Sequence, residues 1–235
     1  MQENRIFFKD NPYPLGHAIK AFVWSGHLDK NGQLWFDLHL KTDHYYAEDP
    51  KHAEIWDDEQ AQNKDDWHSK IVWGNYHSCT MSSTNWGSSG ILIDAKLGKL
   101  NFSHWPATCL IADTMPPDNI MPTDLDWDDL ALNIYLLGHD ACANHKIDIV
   151  QTGYNHFKIN WVGKIALAYA GEDEFIYDFS ANLRGVKFDG FDYLQTLTQT
   201  QAKEYFSMYI NNIDDFEFVD LNPKNNIHEY KFALK

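Results

Sequence analysis

Apolar and polar residues alternate along much of the chain, and a period of two is typical of β-strands with one buried face. The clearest example spans residues 20–41, where two alternating segments flank the sequence DKNG at positions 29–32. Asn-Gly between such segments is a strong hairpin signal, because both central residues of a type I′ turn need positive φ. The pattern therefore predicts two antiparallel strands joined by Asn31 and Gly32.

A two-residue loop also predicts which side chains share a face, since it places Trp24 opposite His39. One face of the predicted hairpin is aliphatic and forms a candidate core; it contains Ala21, Val23, Leu34, Phe36, Leu38 and Leu40. The other face is unusually aromatic for a solvated surface; it contains Phe22, Trp24, Trp35, Asp37 and His39. We expect Trp24, Trp35, Asp37 and His39 to bind a protein partner, because exposed aromatic residues often supply the energy of an interface.

The alternation of apolar and polar residues in the rest of the chain predicts a mainly β protein. A second hairpin is expected within 164–183, and shorter alternating segments follow at 71–80, 91–94, 130–137, 146–152, 157–162, 216–221 and 228–234. A helical stripe is clear only from Thr198 to Ile210. We therefore predict two packed antiparallel sheets, similar to a β-sandwich, with a carboxy-terminal helix followed by closing strands.

The length and composition predict one globular domain over residues 1–235. The chain is 44% hydrophobic and 15% aromatic, which is enough for a substantial core. A proline-rich segment at 115–122 marks the position where a boundary between two subregions would fall.

The formal net charge of −15 narrows the class of partner. Such a charge repels nucleic acids and anionic membranes unless basic residues cluster on one face, and no cluster of consecutive Lys and Arg is present. Acidic residues concentrate between Glu48 and Asp66, where residues 50–63 are expected to form a short helix or an exposed loop. We expect a basic protein partner to contact the carboxylates of this segment, namely Asp57, Asp58, Glu59, Asp65 and Asp66.

The amino terminus lacks the features of a signal peptide, and the chain has no apolar run long enough to cross a membrane. Three cysteines are too few for a disulfide scaffold, and an odd number cannot all pair within one chain. Such sparse cysteines are typical of a reducing compartment. These features predict a cytoplasmic protein.

One short segment suggests a metal site. His139, Cys142 and His145 follow an apolar strand at spacings of three, and nitrogen and sulfur ligands of this kind favour zinc. The paired ligand motifs of structural zinc sites are absent, which favours the alternative of a polar turn with a buried thiol. We therefore expect no cofactor, and zinc is the one candidate.

Catalytic motifs are otherwise missing. The GSSG sequence at 87–90 precedes a strand, whereas a nucleophile elbow follows one, and no phosphate-binding glycine loop occurs. We therefore predict a non-enzymatic acidic binding protein for a basic protein, of which a bacterial toxin-neutralising (immunity-type) protein is one form.

Two alternatives remain open. The first is a metal-assisted hydrolase that uses His139, Cys142 and His145. The second is a carbohydrate-binding β-sandwich, suggested by nine tryptophans among many polar residues.

Overall fold

The computed structural model describes residues 4–49, 65–84, 89–106, 108–224 and 228–235. The protein is mainly β, with 45% strand and 14% helix. The first seven strands are β1 (Arg5–Phe8), β2 (His17–Leu28), β3 (Leu34–Thr42), β4 (Thr80–Ser82), β5 (Ile91–Leu92), β6 (Thr108–Ala112) and β7 (Asn133–Tyr135). The others are β8 (His139–Gly153), β9 (His156–Ala166), β10 (Tyr177–Val186), β11 (Phe188–Asp192), β12 (Phe216–Asp220) and β13 (Tyr230–Leu234). Two α-helices accompany them, α1 (Lys70–Tyr76) and α2 (Gln199–Tyr209).

The strands form one sheet that closes into an eight-stranded barrel, not the two separate sheets of the predicted sandwich. Around the barrel the order is β2, β1, β10, β9, β8, β7, β4 and β3, and β3 pairs again with β2. The prediction of a mainly β protein was confirmed, but that of a sandwich was wrong. Strands with one buried face show the same alternation in a sandwich and in a barrel.

The first hairpin forms, but with a longer loop than predicted. Leu28 pairs with Leu34, so residues 29–33 form the loop. The Asp29 carboxylate accepts hydrogen bonds from the backbone N–H groups of Asn31 and Gln33, both at 2.8 Å, and this closes the loop around Gly32, whose φ is 75°. These bonds stabilise a loop of five residues.

The longer loop moves the strand register by one residue. Trp24 pairs with Leu38 and not with His39, which places the indole on the inner face. Val23, expected in the core, is instead 40% exposed. A shift of one residue exchanges the two faces of a strand, so the predicted faces of β2 were wrong while those of β3 were right.

The core is rich in aromatic rings. Trp24 is fully buried, and its ring centroid lies 5.0 Å from those of Phe157 and Phe188 and 5.4 Å from those of Phe36 and Trp105. Such edge-to-face pairs add to the hydrophobic gain from burying large rings. The side chains around Trp24 therefore fill the core with packed aromatic rings.

The carboxy-terminal part follows the prediction of a helix and closing strands. Thr198 caps α2 in a capping box with Gln201, which satisfies backbone N–H groups at the helix start. Phe206 of α2 stacks on Phe232 of β13 with ring centroids 4.7 Å apart. This packing holds the helix against β12 and β13, which extend the sheet beyond β11.

A smaller apolar cluster lies outside the main core. Met115 and Leu130 pack there with Ala143, Ala166 and Phe175. The proline-rich segment therefore lies against β8 and β9. None of the described helices is long and apolar enough to span a membrane.

Helix α1 contributes the central residue of another aromatic group. Trp73 is fully buried, and its indole N–H donates to the Trp67 carbonyl at 2.8 Å. Its ring contacts those of Phe8, His17 and Tyr45. These contacts fix α1 beside the loop that joins β1 to β2.

Candidate functional site

A cavity of about 370 Å³ opens beside α1. The loop between β1 and β2, the segment after β3 and the first residue of α1 form its walls. We call it the acidic cavity, after the side chains that define it: Tyr13, His17, Asp43, Glu48, Asp49 and Lys70. A volume of this size can hold a small ligand or one long side chain of a partner.

His17 is a neutral, rigid part of the cavity wall. It is only 3% exposed and stacks on Trp73. Burial, together with the nearby positive charge of Arg5, lowers the pKa of His17 to about 3. The neutral ring accepts a hydrogen bond at Nε2 from the Asn11 amide, with the two nitrogens 3.3 Å apart.

Tyr13 brings a hydroxyl group that has no hydrogen-bond partner among the described residues. The residue is 8% exposed. Burial and the charge of Asp49 raise the pKa of Tyr13 to about 12, so the hydroxyl keeps its proton at neutral pH. An unpaired buried hydroxyl costs folding free energy.

Ion pairs line the cavity. Arg5 donates to both oxygens of Glu48, at 3.0 and 2.5 Å, and this hydrogen bonding lowers the pKa of the Glu48 carboxyl. Lys70 pairs with Asp49, and its ammonium lies 5.4 Å from the ring centroid of Tyr13. Lys70 thus shows that an alkylammonium group fits between a carboxylate and an aromatic face in this cavity.

The acidic cavity lies next to the acidic segment predicted from the sequence. Asp57, Asp58 and Glu59 lie outside the described residues. Asp65 and Asp66 are exposed in the turn that leads into α1, and Asp65 accepts a hydrogen bond of 2.6 Å from His68.

The charges of these two carboxylates contribute to a raised pKa of Tyr177. Burial raises its pKa, and the hydrogen bond to Glu172 and the charges of Glu172, Asp65 and Asp66 raise it further.

The predicted aromatic surface of the first hairpin is only partly present. Trp24 is fully buried and cannot contact a partner, which corrects its assignment to that surface. Trp35 and His39 are half-buried, and Asp37 is 5% exposed. The cause is the shifted register, which turns Trp24 inward and places His27 opposite Trp35.

His27 forms a hydrogen-bonded chain on this outer face. Its Nδ1 lies 2.7 Å from Asp37 Oδ2, and Ser83 donates to Asp37 Oδ1 at 3.0 Å. Burial opposes the charged form of His27, but the hydrogen bond and charge of Asp37 outweigh it, so its pKa is raised. Because Ser83 contacts the carboxylate and not the imidazole, the three groups do not form a nucleophile, base and acid triad.

The predicted zinc ligands do not come together. His139 is exposed, whereas Cys142 and His145 are buried. Cys142 donates to the Leu132 carbonyl, and His145 accepts from the Trp161 indole at 3.2 Å. No group of three His, Cys, Asp or Glu side chains in the described ranges could hold a metal ion.

Burial also works against metal binding by the two inner residues. It raises the pKa of the Cys142 thiol, and it lowers the pKa of His145 to about 4. Residues spaced by three in a strand alternate between its faces, so His139 and Cys142 point to opposite sides. The segment is a barrel strand and not the loop that the zinc prediction required.

Tyr13, Lys70 and Arg5 were missed as site residues by sequence reasoning. They lie up to 65 positions apart, and neither a motif nor a shared period links them. The turn-rich sequence NPYPLG at 11–16 was the only local signal, and it predicts a loop without indicating its function.

Compared with protein-family models, curated proteins and solved structures, the chain matches none of them. Functional inference therefore rests on the geometry of the acidic cavity and its surroundings.

Proposed function

We propose that the protein is a non-enzymatic acidic binding protein whose acidic cavity receives a Lys or Arg side chain of a basic protein partner. The observation that carries this proposal is the position of Lys70, held by Asp49 and the Tyr13 ring. The chain's own lysine occupies the kind of environment that a basic side chain from a partner would require.

A cation from a partner would find in the cavity a carboxylate that Lys70 does not use. Asp43 lines it with a carboxylate that accepts only the local hydrogen bond of His44, at 2.9 Å, among the hydrogen bonds of the described residues. Asp43 can therefore pair with the cation that the partner brings. A charged pair in a half-enclosed cavity is less screened by salt than one on an open surface.

The carboxylates around the cavity support the choice of a basic partner. Asp65 and Asp66 lie in the turn directly before Lys70, and Asp57, Asp58 and Glu59 are their neighbours in sequence. Together with the net charge of −15, they would attract a positively charged protein and speed its association.

Neutralisation of a basic toxin, as by an immunity protein, is one concrete form of this function. We place the protein in the cytoplasm, and the three unpaired thiols of Cys79, Cys109 and Cys142 support this location.

Titration with a deca-arginine peptide tests the proposal. Binding is measured by calorimetry at about 20 mM and about 300 mM NaCl, because screening should weaken it at high salt. We expect Asp43→Asn to weaken binding about fivefold to tenfold, as one charged pair in a partly enclosed site is lost.

Asp124→Asn is the matched control, because it removes the same charge from an exposed position outside the cavity. Equal effects of the two variants would show that the peptide responds only to net charge, and the cavity would not be the site. Absence of binding at low salt would also refute the proposal.

A further inference from the structure

A second cavity opens where the barrel strand β2 changes partners. Through Ala18, β2 pairs with β1, and from Trp24 onward it pairs with β11. Between these points its edge faces the end of β10 across a cleft of about 370 Å³. We call this the cationic cleft and define it by Lys20, Arg184, Gly185, Lys187 and Asp189.

Three cations in the cleft lack a partner. Lys20, Arg184 and Lys187 are exposed, and none of them forms an ion pair among the described residues. Among the described residues that line the cleft, the one acidic residue is Asp189, which is already paired with Lys231 at 2.7 Å. The described lining residues of the cleft therefore carry an excess of positive charge in a protein whose net charge is −15.

A fourth cation lies beside them. Lys158 of β9 is directly opposite Arg184 of β10 in the strand register. Paired residues of antiparallel strands share one face, and like charges in that position destabilise the sheet. A bound anion would remove this repulsion.

The backbone at the cleft is open to a ligand. Gly185 forms a bulge between Arg184 and Val186 and has no strand partner. Its φ is 67°, and a Cβ atom at this position would have no atom within 4 Å beyond the neighbouring residues. A ligand can therefore approach the backbone closely here.

We propose that the cationic cleft binds a small anion that carries two or more phosphate groups. Three unpaired cations match a ligand with several negative charges, and guanidinium and ammonium groups are the usual donors to phosphate. The volume suits a small molecule and excludes a folded domain. The site is separate from the acidic cavity and opposite in charge, so it does not depend on the function proposed above.

Calorimetric titration with pyrophosphate tests this proposal. In metal-free buffer with about 20 mM NaCl, we expect saturable binding with a Kd below about 1 mM, weakened about tenfold or more at about 200 mM NaCl. A Kd above this limit, or no heat of binding, would overturn the proposal. Binding of citrate as tight as that of pyrophosphate would overturn the assignment to phosphate.

Charge-removing variants locate the site. We expect Arg184→Gln to weaken pyrophosphate binding about tenfold, and Lys30→Gln, at an exposed position in the first hairpin loop, to leave it unchanged. Equal affinity of the two variants would place the anion elsewhere.

Thermal unfolding, without and with pyrophosphate, is a second readout. Arg184→Gln should raise the Tm of the ligand-free protein slightly, because repulsion with Lys158 is lost. Pyrophosphate should then raise the Tm of this variant less than that of the parent protein. An equal rise in both proteins would contradict binding at the cleft.

Discussion

His17 lies almost parallel to the indole of Trp73, with ring centroids 5.8 Å apart and 11° between the ring planes. Tyr45 meets the same imidazole edge-on at 4.8 Å. The histidine is thus enclosed by rings and has lost most of the hydration that its charged form needs. This relationship makes the wall of the acidic cavity sensitive to acid.

The lowered pKa of His17 predicts a loss of stability in acid. The unfolded chain takes up a proton near pH 6.5, whereas the folded protein resists protonation down to about pH 3. The contribution of the neutral ring is therefore fully present above pH 6.5 and is lost progressively as the pH falls towards 3. We expect His17→Gln to reduce the loss of unfolding free energy between pH 7 and pH 5 by about 2 kcal/mol.

Urea unfolding at the two pH values measures this difference and cancels any pH-independent effect of the substitution. His104→Gln is the control, since that side chain is exposed. If both variants lose the same free energy as the parent protein between pH 7 and pH 5, His17 does not cause the acid sensitivity.

The register of the first hairpin predicts very different roles for two tryptophans. Trp24→Ala should destabilise the protein by about 3–5 kcal/mol, because it removes a buried ring from the aromatic core. Trp35→Ala should cost clearly less, since that ring is half-buried and contacts His27 on the outer face. Equal losses in urea unfolding would argue against a five-residue loop.

Two tyrosines beside α1 allow a matched test of hydroxyl groups. Tyr45 donates a hydrogen bond of 3.1 Å to the Leu136 carbonyl, whereas the Tyr13 hydroxyl has no partner among the described residues. Tyr45→Phe should therefore lower the unfolding free energy by about 1–2 kcal/mol, and Tyr13→Phe should leave it unchanged or raise it by up to about 1 kcal/mol. Unfolding in urea measures both.

The same pair separates stability from binding. Because the Tyr13 hydroxyl oxygen is buried and the aromatic ring is retained, Tyr13→Phe should leave deca-arginine binding unchanged, in contrast to Asp43→Asn. A Tyr13→Phe variant that is destabilised as much as Tyr45→Phe would mean that the Tyr13 hydroxyl is paired in solution.

Gly16 holds the loop that forms one wall of the acidic cavity. Its φ is 67°, and a Cβ atom there would lie 2.5 Å from the Ile6 carbonyl oxygen. Gly16→Ala should therefore destabilise the protein by about 2 kcal/mol or more. Gly171→Ala is the control, because its φ of 83° is equally unusual but the space around it is open. Thermal unfolding that shows no difference between the variants would remove the steric explanation.

Some elements could be read directly from the sequence. The buried residues Leu34, Phe36, Leu38 and Leu40 follow from strict alternation in β3. Helix α2 follows from a helical stripe that begins after a capping threonine, Thr198. In both cases the signal is local, since neighbouring residues of one element are enough to reveal it.

The candidate sites could not be read in this way. Tyr13, Asp49 and Lys70 meet through three separate segments. Lys20 and Lys187 line one cleft only because β2 exchanges β1 for β11 as its neighbour. Nothing in the sequence near either lysine records that exchange.

The sequence by itself determined that the protein is mainly β, which residues of β3 are buried, and where the carboxy-terminal helix lies. The tertiary structure decided that the sheet closes into a barrel, that Trp24 points inward, and that the two cavities of opposite charge exist. The reason is physical: periodicity depends on residues next to each other in the chain, whereas closure and register depend on loop lengths and on pairing between distant strands.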